Sequence, residues 1–129
     1  MTRYLVDTIT WIEYSKGIEP PSSRLDALIE DPEHEIGVCA VIVAEFMSGV
    51  APVDRPDWER RFASLAYWET PLDGALLAGV DRYDFARRGR PLHTQDVLIA
   101  ATARAHGAVL ITENTEDFPM SGITLLSLG

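Results

Sequence analysis

The chain has 129 residues, 47% of them hydrophobic, and a formal net charge of −9. That length suits one domain, residues 1–129, with a core of its own. The acidic balance, with a pI near 4.6, speaks against a purely electrostatic nucleic-acid binder, and no apolar run approaches the ~20 residues of a membrane span.

Strand and helix patterns alternate along the chain, which predicts an α/β domain on a parallel sheet of about five strands. Tyr4 to Asp7 reads as the first strand. A helix through Trp11, Ile12 and Tyr14 follows, with Thr8 or Thr10 as its cap, Thr10 and Glu13 as a capping box, and Gly17 as its end. Pro20 to Glu30 reads as a second helix, closed by Asp31-Pro32. Ile36 to Val38 is a short strand, followed by a helix around Glu45 that stops near Gly49. Pro52 to Pro56 reads as a loop, Asp57 to Leu65 as a helix and Tyr67 to Glu69 as a strand. Asp73 to Arg88 is helical, with Leu76, Leu77, Val80, Tyr83 and Arg87 along one side. After the break at Gly89-Arg90-Pro91, Thr94 caps a helix from Asp96 to His106 that is apolar nearly all round and so belongs in the core. Gly107 stands where a left-handed residue is wanted. Val109 to Thr112 and Ile123 to Leu126 are the last strands.

Four acids fall at the junctions of these elements: Asp7, Glu45, Asp96 and Asp117. Asp7 and Asp117 follow strands, Asp96 opens a helix and Glu45 lies inside an apolar one. A carboxylate removed from water is costly unless something positive pairs with it, and no Lys or Arg adjoins Asp7, Glu45 or Asp96 in sequence. In a parallel sheet the edge beyond the strands' carboxyl ends collects ligands, and all four acids can reach it. Several carboxylates around a hard cation would resolve the charge, and Mg²⁺ or Mn²⁺ suits oxygen donors. Taken singly, each acid has a plainer explanation. Asp96 complements a helix dipole, Asp7 caps a helix, Asp117 shapes a loop and Glu45 faces water. One shared cause explains all four together.

The histidines, His34, His93 and His106, have no metal-ligand spacing, and neither a nucleophile elbow nor a Gly-rich phosphate loop is present. The lone cysteine, Cys39, excludes an intrachain disulfide, fits a reducing compartment and reads as a buried inert thiol. Met1-Thr2-Arg3 leads directly into a strand, without the apolar core of a signal peptide, so a cytoplasmic protein is expected. Arg82, Arg87, Arg88 and Arg90 cluster at a helix end, where they suit the helix dipole or contact phosphate.

Three blocks in order, LVDTITWIEY, VIVAEFMSG and DVLIAATARAHGAVLITENTEDF, resemble the PIN-domain ribonucleases, specifically the VapC-type toxins of bacterial toxin–antitoxin pairs. The resemblance covers nearly the whole chain. It implies an α/β/α sandwich, Mg²⁺- or Mn²⁺-dependent endonucleolytic cleavage of RNA, and a cognate antitoxin in the active-site groove. It also implies a homodimer, within a toxin–antitoxin heterotetramer or larger assembly. The family's acids map to Asp7, Glu45 and Asp96, with a fourth carboxylate near the end of strand four. Thr8 and Thr112 match polar positions of the family, and Asn114 stands where relatives often have Asp. The fourth position therefore falls to Asp117 or Asn114. By side-chain alternation, Thr112 and Asn114 point toward the site and Glu113 away from it. Arg87, Arg88 and Arg90 are candidate phosphate contacts. Trp11, Ile12, Tyr14, Phe46 and Met47 are expected to offer an apolar surface to a helical antitoxin segment. Two other readings stay open: a non-catalytic binding module of the same fold, or another Mg²⁺-dependent phosphohydrolase.

Overall fold

A computed structural model describes residues 1–129. Five parallel strands form one sheet in the order β3-β2-β1-β4-β5. They are β1 (Thr2–Val6), β2 (His34–Val38), β3 (Ala66–Tyr67), β4 (Val109–Ile111) and β5 (Thr124–Leu126). The chain starts at the centre of the sheet and builds outward through β2 and β3. It then crosses back to place β4 on the other side of β1, with Val6 opposite Ile111. Strand order reverses between β1 and β4, so the loops leaving these two strands diverge and open a crevice there.

Six helices surround the sheet: α1 (Thr8–Ser15), α2 (Pro21–Glu30), α3 (Ala40–Met47), α4 (Arg55–Ala63), α5 (Leu72–Arg87) and α6 (Thr94–Ala105). Right-handed crossovers that change direction at the switch point place α1–α4 on one face and α5–α6 on the other. In agreement, α1 packs on α2 and α3, and α5 packs on α6. The result is an α/β/α sandwich. The helix predicted to be buried is so: Val97, Ile99, Ala100, Ala101, Thr102 and Ala103 of α6 are all in the core. Gly107 follows it with φ +60°, the left-handed conformation a side chain resists. At Gly37 the reason for glycine is space, since a Cβ there would lie 2.3 Å from the Trp68 ring.

Several local expectations are corrected. The predicted Thr10–Glu13 capping box does not form. β1 ends one residue before Asp7, whose carboxylate accepts from the Thr8 N–H at 2.8 Å and caps α1. Thr10 is instead buried within the helix, its hydroxyl without a protein partner. Thr94 is the first residue of α6 rather than its cap, which is His93, without a side-chain bond. Pro52–Asp54 forms a 3₁₀ turn and continues directly into α4. Pro56 sits in the first turn of that helix, where a missing N–H costs nothing. The third strand is Ala66–Tyr67, ending before the predicted Glu69.

Helix α5 departs most from the usual partition. Its inward side carries Gly74, Ala75 and Ala78, the last at 1% exposure, with Asp81 and Phe85, while Leu72, Leu76, Leu77, Val80 and Tyr83 are 45–76% exposed. The apolar side read from the sequence is present, and it faces solvent.

Candidate active site

The cleft lies at the switch point. A cavity of about 330 Å³ is lined by Asp7, Thr8, Glu45, Asp96, Asn114 and Asp117, with Ile9, Ile12 and Ser48. Each acid arrives from a separate part of the chain: the end of β1, the middle of α3, the first turn of α6 and the 3₁₀ turn Thr115–Asp117 after β4. All four predicted acids thus share one cleft, and Asn114 and Asp117 both line it.

Asp7 is its most fixed member, only 6% exposed. One carboxylate oxygen accepts from the Thr8 N–H, and the other accepts from the Thr112 hydroxyl at 2.9 Å. Thr112 in turn accepts from the Asn114 N–H at 3.1 Å. Asp7 also donates its own N–H to the Ile111 carbonyl at 2.8 Å. The ends of the two central strands are therefore laced together at the acid. The Thr8 hydroxyl donates to Glu45 at 3.3 Å, tying α1 to α3. Glu113 points away, as alternation requires, and its carboxylate accepts from Ser127 and from the Leu128 N–H.

Burial and mutual repulsion disfavour ionisation here. Asp96 is pushed up to about 6, first by burial and then by the charges of Asp117 and Asp7, partly offset by His93. Burial also raises Asp7, against the lowering effect of its bonds from Thr112 and Thr8. Glu45 is raised chiefly by desolvation, with a further contribution from Asp7. Burial pushes the Cys39 thiol up as well, with Asp7 and Glu45 adding to it, so this cysteine is an inert core group.

None of the four acids forms an ion pair with Lys, Arg or His. No three acids stand close enough together to make a ready-formed metal cluster. The donor chemistry nevertheless fits a hard divalent cation: carboxylate oxygens and an amide in one cleft, with uncompensated charge and no thiolate or imidazole ligand set.

Of the three arginines proposed for phosphate, only Arg90 is tied to the site's loop, donating to the Glu116 carbonyl. Arg87 and Arg88 fold back over rings of their own helix, Tyr83 at 3.9 Å and Phe85 at 4.5 Å. The apolar surface expected near the site is largely consumed by the chain itself. Trp11 is fully buried and Phe46 is 5% exposed, because α4 lays Trp58 and Phe62 against them. Two cleft residues were not anticipated from the sequence. Ser48 follows Glu45 by three positions and so shares its helix face, a readable signal. Ile9 carried none.

These features define an open parallel α/β domain whose acids crowd the switch point of its sheet. The chain belongs to the PIN domain family, which its sequence matches over residues 4–119. It is 30% identical over 118 residues to ribonuclease VapC19 of Mycobacterium tuberculosis, covering 90% of this chain and 92% of that protein. It is 29% identical over 92 residues to the tRNA(fMet)-specific endonuclease VapC of Shigella flexneri, covering 66% of this chain and 68% of that one. Among solved structures, DNA-bound VapBC from Salmonella typhimurium superposes with a TM-score of 0.80 at 23% identity over 100% of both chains. VapBC2 from Rickettsia felis, bound to a promoter fragment, gives 0.80 at 20% identity over 98% of both.

Proposed function

We propose that the chain is the toxin of a toxin–antitoxin pair and a metal-dependent endoribonuclease that hydrolyses RNA phosphodiester bonds. The observation that carries this reading is the convergence of Asp7, Glu45, Asp96 and Asp117 on one cleft, without basic partners, in a PIN domain. Curated relatives named as ribonucleases, and structural neighbours that are VapBC complexes, support the RNA substrate and the cognate antitoxin.

Asp7, Asp96 and Glu45, with Asp117 or Asn114, would hold Mg²⁺ or Mn²⁺. A cation held there would lower the pKa of a water and offset negative charge on the phosphate. Asp7 is oriented by Thr8 and Thr112 before any ligand arrives, so little ordering is left to do at that group. Asp96, pushed up to about 6, is mostly ionised at neutral pH, and a positive charge in the cleft would favour that charged form further. Arg90 stands where it can meet a phosphate beside the site's loop.

The outward face of α5 supports the homodimer reading. In an antiparallel pairing of two α5 helices with Val80 on the two-fold axis, Leu77 meets Tyr83 of the second copy, and Asp73 meets Arg87. At these positions apolar groups meet apolar groups and opposite charges meet, as an isologous contact requires. No helix is long and apolar enough to cross a membrane, and an RNA substrate with a co-produced protein partner accords with the cytoplasm.

The deciding experiment is incubation of single-stranded RNA with purified protein and Mg²⁺ or Mn²⁺. Cleavage that stops with EDTA and is absent in Asp7→Asn is expected. RNA left intact, or hydrolysis confined to phosphomonoesters, overturns the reading.

A further inference from the structure

A second cavity, about 660 Å³ in volume, adjoins the acid cleft and shares Ile12, Glu45 and Ser48 with it. Its size lies within the roughly 300–1,000 Å³ usual for small-molecule sites. Its far wall is Trp58. The other two tryptophans are buried, Trp11 at 0% and Trp68 at 8% exposure. Trp58 alone stays half-buried, and this is the cavity it lines. Its ring is held by Phe46 at 4.5 Å, Phe62 at 5.6 Å and Trp11 at 6.3 Å, with the Arg61 guanidinium at 5.2 Å. Such a ring is immobilised before anything binds, so stacking on it costs little further order.

Two charged groups complete the wall, and neither has work in the fold. Lys16 is the chain's one lysine. It lines the cavity, is exposed and forms no ion pair. Asp54, on the 3₁₀ turn before α4, is likewise exposed and unpaired. In a molecule of net charge −9, Lys16, the one cation among the lining residues of a cavity next to the acid cleft, is well placed for a phosphate. A lone carboxylate repels phosphate but accepts N–H donors from a base edge.

We propose that this cavity is a nucleobase subsite, in which the base next to the scissile bond stacks on Trp58, Lys16 contacts a neighbouring phosphate, and Asp54 selects guanine. The inference rests on the ribonuclease reading above. Guanine presents two adjacent N–H donors on its Watson–Crick edge and so matches a carboxylate's two oxygens. Adenine and cytosine offer one amino group, and uracil's single N–H lies between two carbonyls that repel Asp54. RNA bases are read in this way when unpaired, by stacking and edge hydrogen bonds. Lys16 and Asp54 in the lining suit a nucleotide better than an apolar peptide side chain, and the wall shared with the acid cleft puts the occupant beside the candidate metal site.

The test has two arms. In the first, a random single-stranded RNA pool is cleaved with Mn²⁺ and the product ends are sequenced. Guanine should be enriched at one position flanking the cut. Asp54→Asn, a change at an exposed side chain, should flatten that preference by about tenfold. Lys16→Ala should raise KM severalfold and leave kcat unchanged. Trp58→Leu should raise KM by about tenfold through lost stacking. In the second arm, 5′-GMP is titrated against tryptophan fluorescence in EDTA, with no turnover. It should quench more strongly than 5′-UMP, and Trp58→Leu should abolish the effect. Cleavage by the wild type with a flat profile that Asp54→Asn does not alter overturns the subsite while leaving the ribonuclease reading intact. A wild type that cleaves nothing overturns the ribonuclease reading, and GMP quenching then decides the subsite alone. Variants that lose only affinity for a co-expressed antitoxin would make the cavity a protein groove and also overturn the proposal.

Discussion

The acid cleft and the outer face of α5 break the same rule in opposite directions. In the cleft, Asp7 and Asp96 are withdrawn from water without a cation, while Glu45 and Asp117 stay exposed: Asp7 is 6% exposed and Asp96 is pushed up to about 6. On α5, large apolar side chains stay in water while much of the inward side is alanine and glycine, with Leu72 at 76% and Leu76 at 64% exposure. Folding this chain alone leaves both regions unsatisfied. The contrast shows what each lacks. The cleft needs positive charge, and the helix needs an apolar partner.

Substitution in the cleft should have the largest effect. Asp96→Asn removes charge but keeps side-chain volume, and should lower RNA cleavage by about a hundredfold or more, as loss of metal-assisted charge stabilisation does. The same variant, melted in EDTA, should gain a few degrees in Tm because a repelled carboxylate is gone. Cleavage at the wild-type rate would remove Asp96 from the site. The α5 face comes next. Leu76→Glu with Val80→Glu should weaken self-association by at least about a hundredfold, since each removes from both copies an apolar side chain worth about 1.5–3 kcal/mol when buried. Both residues are exposed, so the far-UV spectrum should not change. Sedimentation showing a monomeric wild type would end the homodimer reading. Asp117→Asn should cost less activity than Asp7→Asn, and raised Mn²⁺ should restore part of it. A rate independent of position 117 would leave Asn114 as the fourth member.

The smallest effect is on stability. A carboxylate whose folded pKa lies above its unfolded value binds its proton more tightly in the fold. Its contribution is therefore fully present below the unfolded value of 3.8 and is lost as pH rises through the folded value of about 6. Asp7 and Glu45 shift in the same direction. Metal-free protein should then be more stable near pH 4.5 than near pH 7.5, and added Mn²⁺ should narrow the difference. Denaturant titrations at the two pH values, with and without Asp96→Asn, measure this. Equal slopes in both proteins would exclude Asp96 as the cause.

Much of this was legible in the chain itself. Alternating strand and helix patterns gave the parallel sheet, and the apolar circumference of residues 97–103 gave the buried helix. Asp7, Asp96 and Asp117 at element boundaries gave the cleft, because a boundary at the carboxyl edge of a sheet fixes position without knowledge of packing, whereas Glu45, inside α3, was marked by its apolar neighbours. What stayed hidden depended on contacts distant in sequence. The Thr10–Glu13 pair fits a capping box locally, but Asp7 wins because pairing of β1 with β4 sets where the helix begins. Trp11 and Phe46 look like a free apolar surface until α4 covers them. The α5 stripe was visible, but its direction was not, since an interface and a core look alike in a periodic pattern.

Asp7 has a consequence for anyone wanting an inert copy that still grips its substrate. Its two oxygens cap α1 and hold Thr112, so the acid is a structural rivet as well as a candidate ligand. An amide there can keep only one acceptor, for the Thr8 N–H, and its NH2 then makes the Thr112 hydroxyl turn from donor to acceptor. Asp96 accepts no side-chain or capping bond within the fold, so its carboxylate can be neutralised without loosening the strand ends. As a bait for trapping uncleaved RNA, Asp96→Asn is the sounder choice.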